Sequence, residues 1–317
     1  MSEIYTLDSD ALLLDSFSEC IRNREIEQKY IYFGQGWEWY YDWENNFKYK
    51  NEKWFNPDDF KSFFDKAQMN SENSEGVIIS LGCGNSAKEA LILEKLNNNI
   101  HYFGIDSSHS MLSLSIKELW HLQNPKTFLC ADFSTKAFRT ELKQLTKFSK
   151  NRLFVFFSNT FWNIQHTNII DILWNLLHKW EKIWLDVTVR QWTWIKEDFE
   201  MWQRMSDLFH NDETKSFFIK PITRLWIKPD DIELIIKTKK ENFINALKFD
   251  FYYLIKNRSE INIKWEKIVI LPNEEIKFLQ IYTYDQYGLI DFFEEHDFKL
   301  VDKNLKGYRW QFLFEKK

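Results

Sequence analysis

Val77-Ile78-Ile79-Ser80-Leu81-Gly82-Cys83-Gly84-Asn85-Ser86-Ala87 is a short, almost wholly apolar run that ends in two closely spaced glycines and leads into the helix-forming stretch Ala87 to Leu96. A run of this length and composition reads as a strand buried on both faces. Glycine at the turn lets the backbone come close to a ligand, and the helix N-terminus that follows favours polar or anionic groups. About 20 residues further on stands Asp106, at the end of a second apolar run, His101-Tyr102-Phe103-Gly104-Ile105. In doubly wound folds a carboxylate at that position accepts hydrogen bonds from ribose hydroxyls. Gly82-x-Gly84-x-x-Ala87 also satisfies the looser dinucleotide fingerprint, so these residues alone leave the choice of cofactor open. They also leave open a glycine turn that only links a strand to a helix.

Outward from this stretch, apolar runs and helical patterns alternate. Helix Met111 to Leu122 leads to the run Thr127-Phe128-Leu129-Cys130-Ala131, and a helix from about Lys136 to Thr146 to Leu153-Phe154-Val155-Phe156-Phe157. Helix Ile169 to Trp180 then precedes Ile183-Trp184-Leu185-Asp186-Val187. Such alternation predicts an α/β, Rossmann-like parallel sheet covered on both faces. Before it, the first seventy residues read as helical, with apolar positions at Leu12, Leu13, Phe17, Ile21 and Ile26, then an aromatic segment Tyr30 to Trp43 and a loop over residues 70–76. After about Gln191 the alternation breaks. A Trp-rich helical region precedes Phe249 to Ile255 and Trp265 to Leu271, which read as antiparallel strands on either side of Lys256-Asn257-Arg258-Ser259-Glu260. Helix Leu289 to Glu295 and strands Lys299 to Val301 and Arg309 to Glu315 close the chain. The expected division is residues 1–190 as N-terminal helices plus the cofactor half, 191–284 as an inserted α+β substrate domain, and 285–317 as completion of the first half, with substrate bound between them.

Composition narrows the function classes. The chain has 317 residues, a net charge of -5, 44% hydrophobic and 28% charged residues, with 15 Trp, 13 Tyr and 29 Phe. Lys and Arg alternate with Asp and Glu instead of clustering, which argues against nucleic acid as partner. The short run Lys237-Thr238-Lys239-Lys240 reads as a solvated face. Cys20, Cys83 and Cys130 are widely spaced, and the histidines form no ligand pattern, so neither a disulfide framework nor a metal site is expected. No apolar run has the roughly 20 residues of a membrane span, and the N-terminus lacks a signal-peptide pattern, so the expected location is cytoplasmic. Oligomeric state is not legible.

The wording Leu81-Gly82-Cys83-Gly84, with Ile105-Asp106-Ser107-Ser108 and Met111-Leu112 following, resembles the first two motifs of class I methyltransferases, which use S-adenosylmethionine. That resemblance implies that Asp132 and Phe133, at the end of the third sheet strand, hold the adenine. It narrows at Gly82-Cys83-Gly84-Asn85-Ser86-Ala87-Lys88, which is similar to the G-S-G-S-S-x-K segment of the histidine-specific N-alpha-methyltransferases. Carried over from that family, Lys88 binds the methionine carboxylate of the cofactor. Read from the residues alone, Lys88 is an exposed cation in a first helical turn, where the helix dipole slightly disfavours it.

Two further segments carry the resemblance. Ser158-Asn159-Thr160-Phe161-Trp162-Asn163-Ile164 looks like the family's G-S-T-I-G-N-F, which implies that Asn163 contacts the substrate amine and is the catalytic position; otherwise Asn163 caps a helix. Lys29-Tyr30-Ile31-Tyr32-Phe33-Gly34-Gln35-Gly36-Trp37-Glu38 resembles K-x-F-Y-D-x-R-G-S-E and makes Tyr32 a pocket wall, or else an ordinary packed aromatic. The family's E-x-S-x-K, which holds the imidazole of histidine, falls on Gln280-Ile281-Tyr282-Thr283-Tyr284, with Gln280 and Tyr282 as the substrate positions. Gln for Glu removes a charge, Tyr for Ser fills space, and Trp162 replaces a small glycine. A pocket built to hydrogen-bond one substrate rejects others, so these changes argue against histidine itself. The expected activity is S-adenosylmethionine-dependent N-methylation of a small-molecule amine or amino acid. The alternatives are an NAD-dependent oxidoreductase and a non-catalytic protein that binds the cofactor. The first lacks a Tyr-x-x-x-Lys pair, since Tyr284 is followed four residues later by Gly288.

Overall fold

The computed structural model describes residues 4–7, 10–32, 57–69, 75–149, 151–157, 160–190, 203, 206–207, 211–263, 266–306 and 309–317. The expected helical Trp-rich region beyond Gln191 falls largely outside them, as do most of the aromatic segment Tyr30 to Trp43 and the loop over residues 70–74.

Strand β2 (Gly76–Leu81) is buried along its whole length. It pairs in parallel with β3 (His101–Asp106) on one side and β5 (Asn151–Phe156) on the other. The sheet continues from β3 to β4 (Lys126–Cys130) and then to β1 (Ile4–Thr6), all parallel. From β5 it continues to β6 (Lys182–Arg190). The chain therefore builds outward from β2 in one direction, returns, and builds in the other, which opens a crevice at the strands' C-terminal ends. Helices α3 (Ala87–Leu93), α4 (His109–Glu118), α5 (Lys136–Leu145) and α6 (His166–Leu176) make the crossovers.

Side chains alternate across the pleat, so one apolar run supplies two cores. Val77, Ile79 and Leu81 face one cluster with Phe138, Leu142, Ile169 and Leu173, whereas Ile78 faces the other with Phe60, Ala90, Ile92 and Leu112. Trp184 of β6 lies at the centre of the second cluster. It is fully buried, with the rings of Phe60, Phe63, Phe64 and Phe157 centred 5.2, 5.2, 5.6 and 5.0 Å away. Its indole Nε1 donates to Gln311 Oε1 at 2.5 Å, which satisfies the polar atom that burial would otherwise leave unpaired. Helix α2 (Lys61–Lys66) carries two of those phenylalanines.

Strand β6 serves two sheets. Residues 182–188 pair antiparallel with β13 (Arg309–Lys316), which pairs with β12 (Phe298–Lys306), while the tip at Val189 and Arg190 pairs in parallel with β11 (Glu274–Asp285). Beyond that tip, β7 (Ile232–Glu241), β8 (Ala246–Ile255) and β11 form an antiparallel sheet. Helix α7 (Gln286–Glu295) returns the chain to the first sheet, capped by the Asp285 carboxylate, which accepts from the amides of Tyr287 and Gly288 at 3.0 Å.

The lysine run 237–240 is a solvated face, exposed along edge strand β7, where its lysines discourage further strand pairing. Two details differ from the reading of the sequence. The runs 249–255 and 265–271 do not pair with each other: β8 lies between β7 and β11, and β10 (Glu266–Ile270) pairs with β9 (Ser259–Ile263), part of which the sequence reads as a connecting loop. Finally, Phe17 and Ile21 of α1 (Asp10–Arg22), with Ile26, Tyr30 and Ile31, pack into the inserted strands' core beside Phe217, Phe249 and Phe278 instead of against the first sheet. Among the described residues no helix is long and apolar enough to cross a membrane.

Replacing Trp184 by Ala removes the hub of the second cluster and leaves Gln311 unpaired. The expected cost is about 3–5 kcal/mol, read as a lowered midpoint in denaturant unfolding.

Candidate active site

The crevice holds a cavity of about 470 Å³ bordered by the ends of β2, β3 and β4, the turn at Thr160 to Gln165, the segment Glu25 to Lys29, Tyr32, and Lys277 to Gln280 of β11. Its volume lies in the range of small-molecule sites. Gly82 and Gly84 both occupy the left-handed region, at φ 70° and 56°. A Cβ on Gly82 would stand 2.5 Å from Thr160 Oγ1 and Cγ2, so both the conformation and the space exclude a side chain there. The amides of Gly82 and Cys83 donate to the carbonyl of Ile105 at 2.8 and 2.9 Å, which ties the turn to the end of β3.

Asp106 follows directly. Its carboxylate accepts from the amides of Gly84 at 3.0 Å and Ser108 at 2.9 Å. Burial pushes this carboxyl up to about 6, with the Ser108, Gly84 and Ser107 amides pulling it back. Beneath the turn, Ser80 Oγ donates to Glu89 at 2.5 Å, and burial raises the Glu89 carboxyl to about 7. Asp132, at the end of β4, is held differently. Its Oδ1 accepts from the Ser134 amide at 2.9 Å and hydroxyl at 2.6 Å, and its Oδ2 from Lys29 at 2.8 Å. Burial works against its charge, but Lys29 and Ser134 outweigh it and keep the carboxyl below its usual range. Phe133 stands beside it, edge-on to Phe156 at 5.8 Å.

Across the cavity, Asn163 is part of the short 3-10 turn Phe161–Asn163. Its backbone carbonyl accepts from Gln280 Nε2 at 3.0 Å, and Gln280 Oε1 accepts from Lys277 at 3.0 Å. Its side-chain Oδ1 is buried with no hydrogen-bond partner among the described residues. Lys277 also meets Glu25 at 2.9 Å and Asp250 at 3.3 Å.

The cavity thus brings together Gly82, Gly84, Asp106, Asp132, Phe133, Tyr32, Asn163 and Gln280 of the residues singled out from sequence. It does not include Lys88 or Tyr282. Lys88, expected at the cofactor carboxylate, pairs with buried Asp186 of β6, away from the cavity lining. Tyr282, expected at the substrate, lies two residues beyond Gln280 and is buried with its ring 4.1 Å from that of His166. Along a strand two residues span about 7 Å, enough to carry the side chain past the cavity into the core. Lys29, Glu25, Glu27, Thr160 and Lys277 border the cavity and were not singled out. Only the lysine shared with K-x-F-Y-D hinted at Lys29; the others come from segments brought here by folding.

A family model described as "Histidine-specific methyltransferase, SAM-dependent" matches residues 15–185. The chain belongs to this family. S-adenosylmethionine is accordingly its cofactor, and the enzyme is a methyltransferase with a class I sheet. Solved structures similar to it include an S-adenosylmethionine-dependent methyltransferase from Clostridium acetobutylicum, 10% identical, covering 88% of this chain and 98% of the other at a TM-score of 0.47. Another is the 1,6-didemethyltoxoflavin-N1-methyltransferase of Burkholderia thailandensis, 7% identical, covering 98% and 93% at a TM-score of 0.43. A third is a methyltransferase from Methanosarcina mazei, 12% identical, covering 77% and 93% at a TM-score of 0.42. No curated protein matches significantly in sequence.

The site fits the cofactor in its donor set: a side-chain-free turn at Gly82, a carboxylate for ribose hydroxyls at Asp106, and an acid–aromatic pair at Asp132 and Phe133. Two of its buried acids also make the cofactor-free protein sensitive to pH. Glu89 and Asp106 ionise near 7 and 6 when folded, against ordinary values of 4.5 and 3.8. Between those values the folded state holds the extra protons, so stability is greatest at the acidic end and falls as pH rises through about 4 to 7. For Glu89 alone the effect is on the order of 3 kcal/mol. Thermal melts of wild type and Glu89→Gln across this range are expected to show the slope reduced in the variant.

Proposed function

We propose that this methyltransferase modifies a nitrogen of a small amine or amino acid other than histidine. The observation that carries the reading is the Asn163 side-chain oxygen, buried and without a hydrogen-bond partner among the described residues, in a residue that borders the same cavity as Asp106. A buried acceptor left unpaired costs free energy that an incoming N–H would recover. Gln280 holds the backbone of Asn163 from the inserted sheet, so the acceptor is fixed before the substrate arrives. Gly82 leaves room for the cofactor, Asp106 receives its ribose, and Asp132 with Phe133 flanks its adenine. When bound, the cofactor supplies a methyl whose bond to sulfur breaks, the electron pair returning to sulfur, as the nitrogen lone pair forms the new C–N bond and the amine proton passes to water. The protein's contribution is alignment, which alone supplies a large share of the rate. An amine needs no strong base beyond being neutral when it attacks, and the apolar surroundings of Ile164, Ile172 and Phe278 lower its proton affinity. With Gln280 neutral and Tyr282 turned into the core, nothing supports an imidazole pocket of the family's kind.

Calorimetric titration with S-adenosylmethionine is expected to show binding that NAD does not reproduce and that Asp106→Ala weakens by at least tenfold, roughly the worth of one charged hydrogen bond. Methyl transfer from labelled cofactor to a panel of amines and amino acids, histidine included, then identifies the acceptor. Asn163→Ala is expected to lower kcat/KM for that acceptor about a hundredfold with cofactor affinity unchanged. Methylation of histidine in preference to the other amines would overturn the reading, as would cofactor binding with no acceptor in the panel.

A further inference from the structure

The N-terminal segment forms one wall of the cavity. Glu25 makes a parallel bridge to Lys277 of β11: the Lys277 amide donates to the Arg24 carbonyl at 2.8 Å and the Ile26 amide to the Lys277 carbonyl at 2.7 Å. Ile26 points into the inserted core and is 3% exposed. Its neighbours Glu25 and Glu27 border the cavity, where Ile26 also contributes to the lining.

Each of these carboxylates touches a lysine that a more buried carboxylate already holds. Lys29 lies between Asp132 at 2.8 Å and Glu27 at 2.9 Å. Lys277 lies between Asp250 at 3.3 Å and Glu25 at 2.9 Å, and behind the wall Asp250 also meets Lys248 at 3.2 Å. The lysines and their inner aspartates have side chains 13–18% exposed, whereas Glu25 and Glu27 are each 54% exposed. Among the described lining residues, four carboxylates (Glu25, Glu27, Asp106, Asp132) face two ammonium groups (Lys29, Lys277). Asp106 is committed to the glycine turn and Asp132 to Lys29 and Ser134. The outer pair, Glu25 and Glu27, is what the cavity presents to a ligand's charge.

A second feature of the same cavity points to a nitrogen ligand: the side-chain oxygen of Asn163 has no hydrogen-bond partner among the described residues, while the backbone carbonyl of the same residue is held by Gln280, which in turn meets Lys277. Resting on the N-methylation reading above, we infer that the substrate is an amine with a second cationic group, a diamine in the simplest case. Its reacting nitrogen faces Asn163, and its second ammonium lies against Glu25 and Glu27. A zwitterionic amino acid would bring its carboxylate toward this acidic wall, where both lysines are already neutralised. The excess negative charge also concentrates such a cation from solution before it docks, an effect that salt screens.

The test is calorimetry on the full chain saturated with S-adenosylhomocysteine, using butane-1,4-diamine, butylamine, and lysine or histidine as probes. The expected order is diamine over monoamine over amino acid, with diamine affinity falling as salt rises. Glu25→Gln and Glu27→Gln are each expected to weaken diamine binding about tenfold, one charged contact, while melting temperature and S-adenosylhomocysteine affinity stay as in wild type. If butylamine or the amino acids bind as well as the diamine to wild-type protein, the inference fails, and no variant is needed to show it. It fails equally if the Gln variants keep diamine affinity, or if they lose S-adenosylhomocysteine instead, which would assign the acids to the cofactor. Failure of wild-type protein to bind S-adenosylhomocysteine would sink the underlying methyltransferase site along with it, so the two failures are distinguishable.

Discussion

The Asp106 carboxylate joins two backbone segments at the mouth of the crevice. One is the left-handed turn at Gly84, whose amide it accepts, and the other is the start of α4, where it accepts from Ser108. The Ile105 carbonyl, one residue earlier, takes the amides of Gly82 and Cys83. Four backbone donors thus converge on the tip of β3, and the crevice between β2 and β5 opens above them. Everything that borders the cavity takes its place relative to that junction: Thr160 packs against the bare Cα of Gly82, and Asp132 and Phe133 extend the edge one strand further. Burial makes the arrangement costly, since Asp106 ionises only near 6 in this setting.

The inserted sheet is coupled to this junction through side chains from three distant parts of the chain. Lys277 and Gln280 of β11 reach Asn163 on one side and Glu25 on the other, and the strand tip at Tyr284 and Asp285 continues β6. The N-terminal segment bridges the two halves: Arg24 and Ile26 bond to β11, whereas Lys29 crosses to Asp132. The two sides of the cavity are therefore joined through few, well-paired contacts.

Departures from the family's motifs acquire physical content in this frame. Gln280 is an amide with its oxygen on an ammonium and its nitrogen on a carbonyl. A carboxylate there would satisfy Lys277 but set two acceptors against each other at Asn163. Tyr282 fills the space beyond it and packs on His166, whose imidazole burial drives down to about 3, keeping it neutral in the core. Lys88 pairs with Asp186, a buried carboxylate, and so offsets part of the cost of burying its charge.

The sequence by itself determined the parallel sheet, its order of elements, and the glycine turn with Asp106 beside it. Each of those signals is local: an apolar run, a glycine turn, and an acid at a fixed distance from it suffice. It also marked Asn163 and Gln280 through short motifs. Only the tertiary structure decided the rest. The pairing of β9 with β10 and the assignment of α1 to the inserted core depend on contacts between segments that no periodicity links. Glu25, Glu27, Lys29 and Lys277 read in sequence as ordinary charged residues, because nothing in the chain places positions about 250 residues apart on one wall. Lys88 and Tyr282 lie next to cavity residues in sequence, yet helix and strand geometry turn them toward Asp186 and the core. Direction, unlike residue type and spacing, is set by what the fold packs against each side chain.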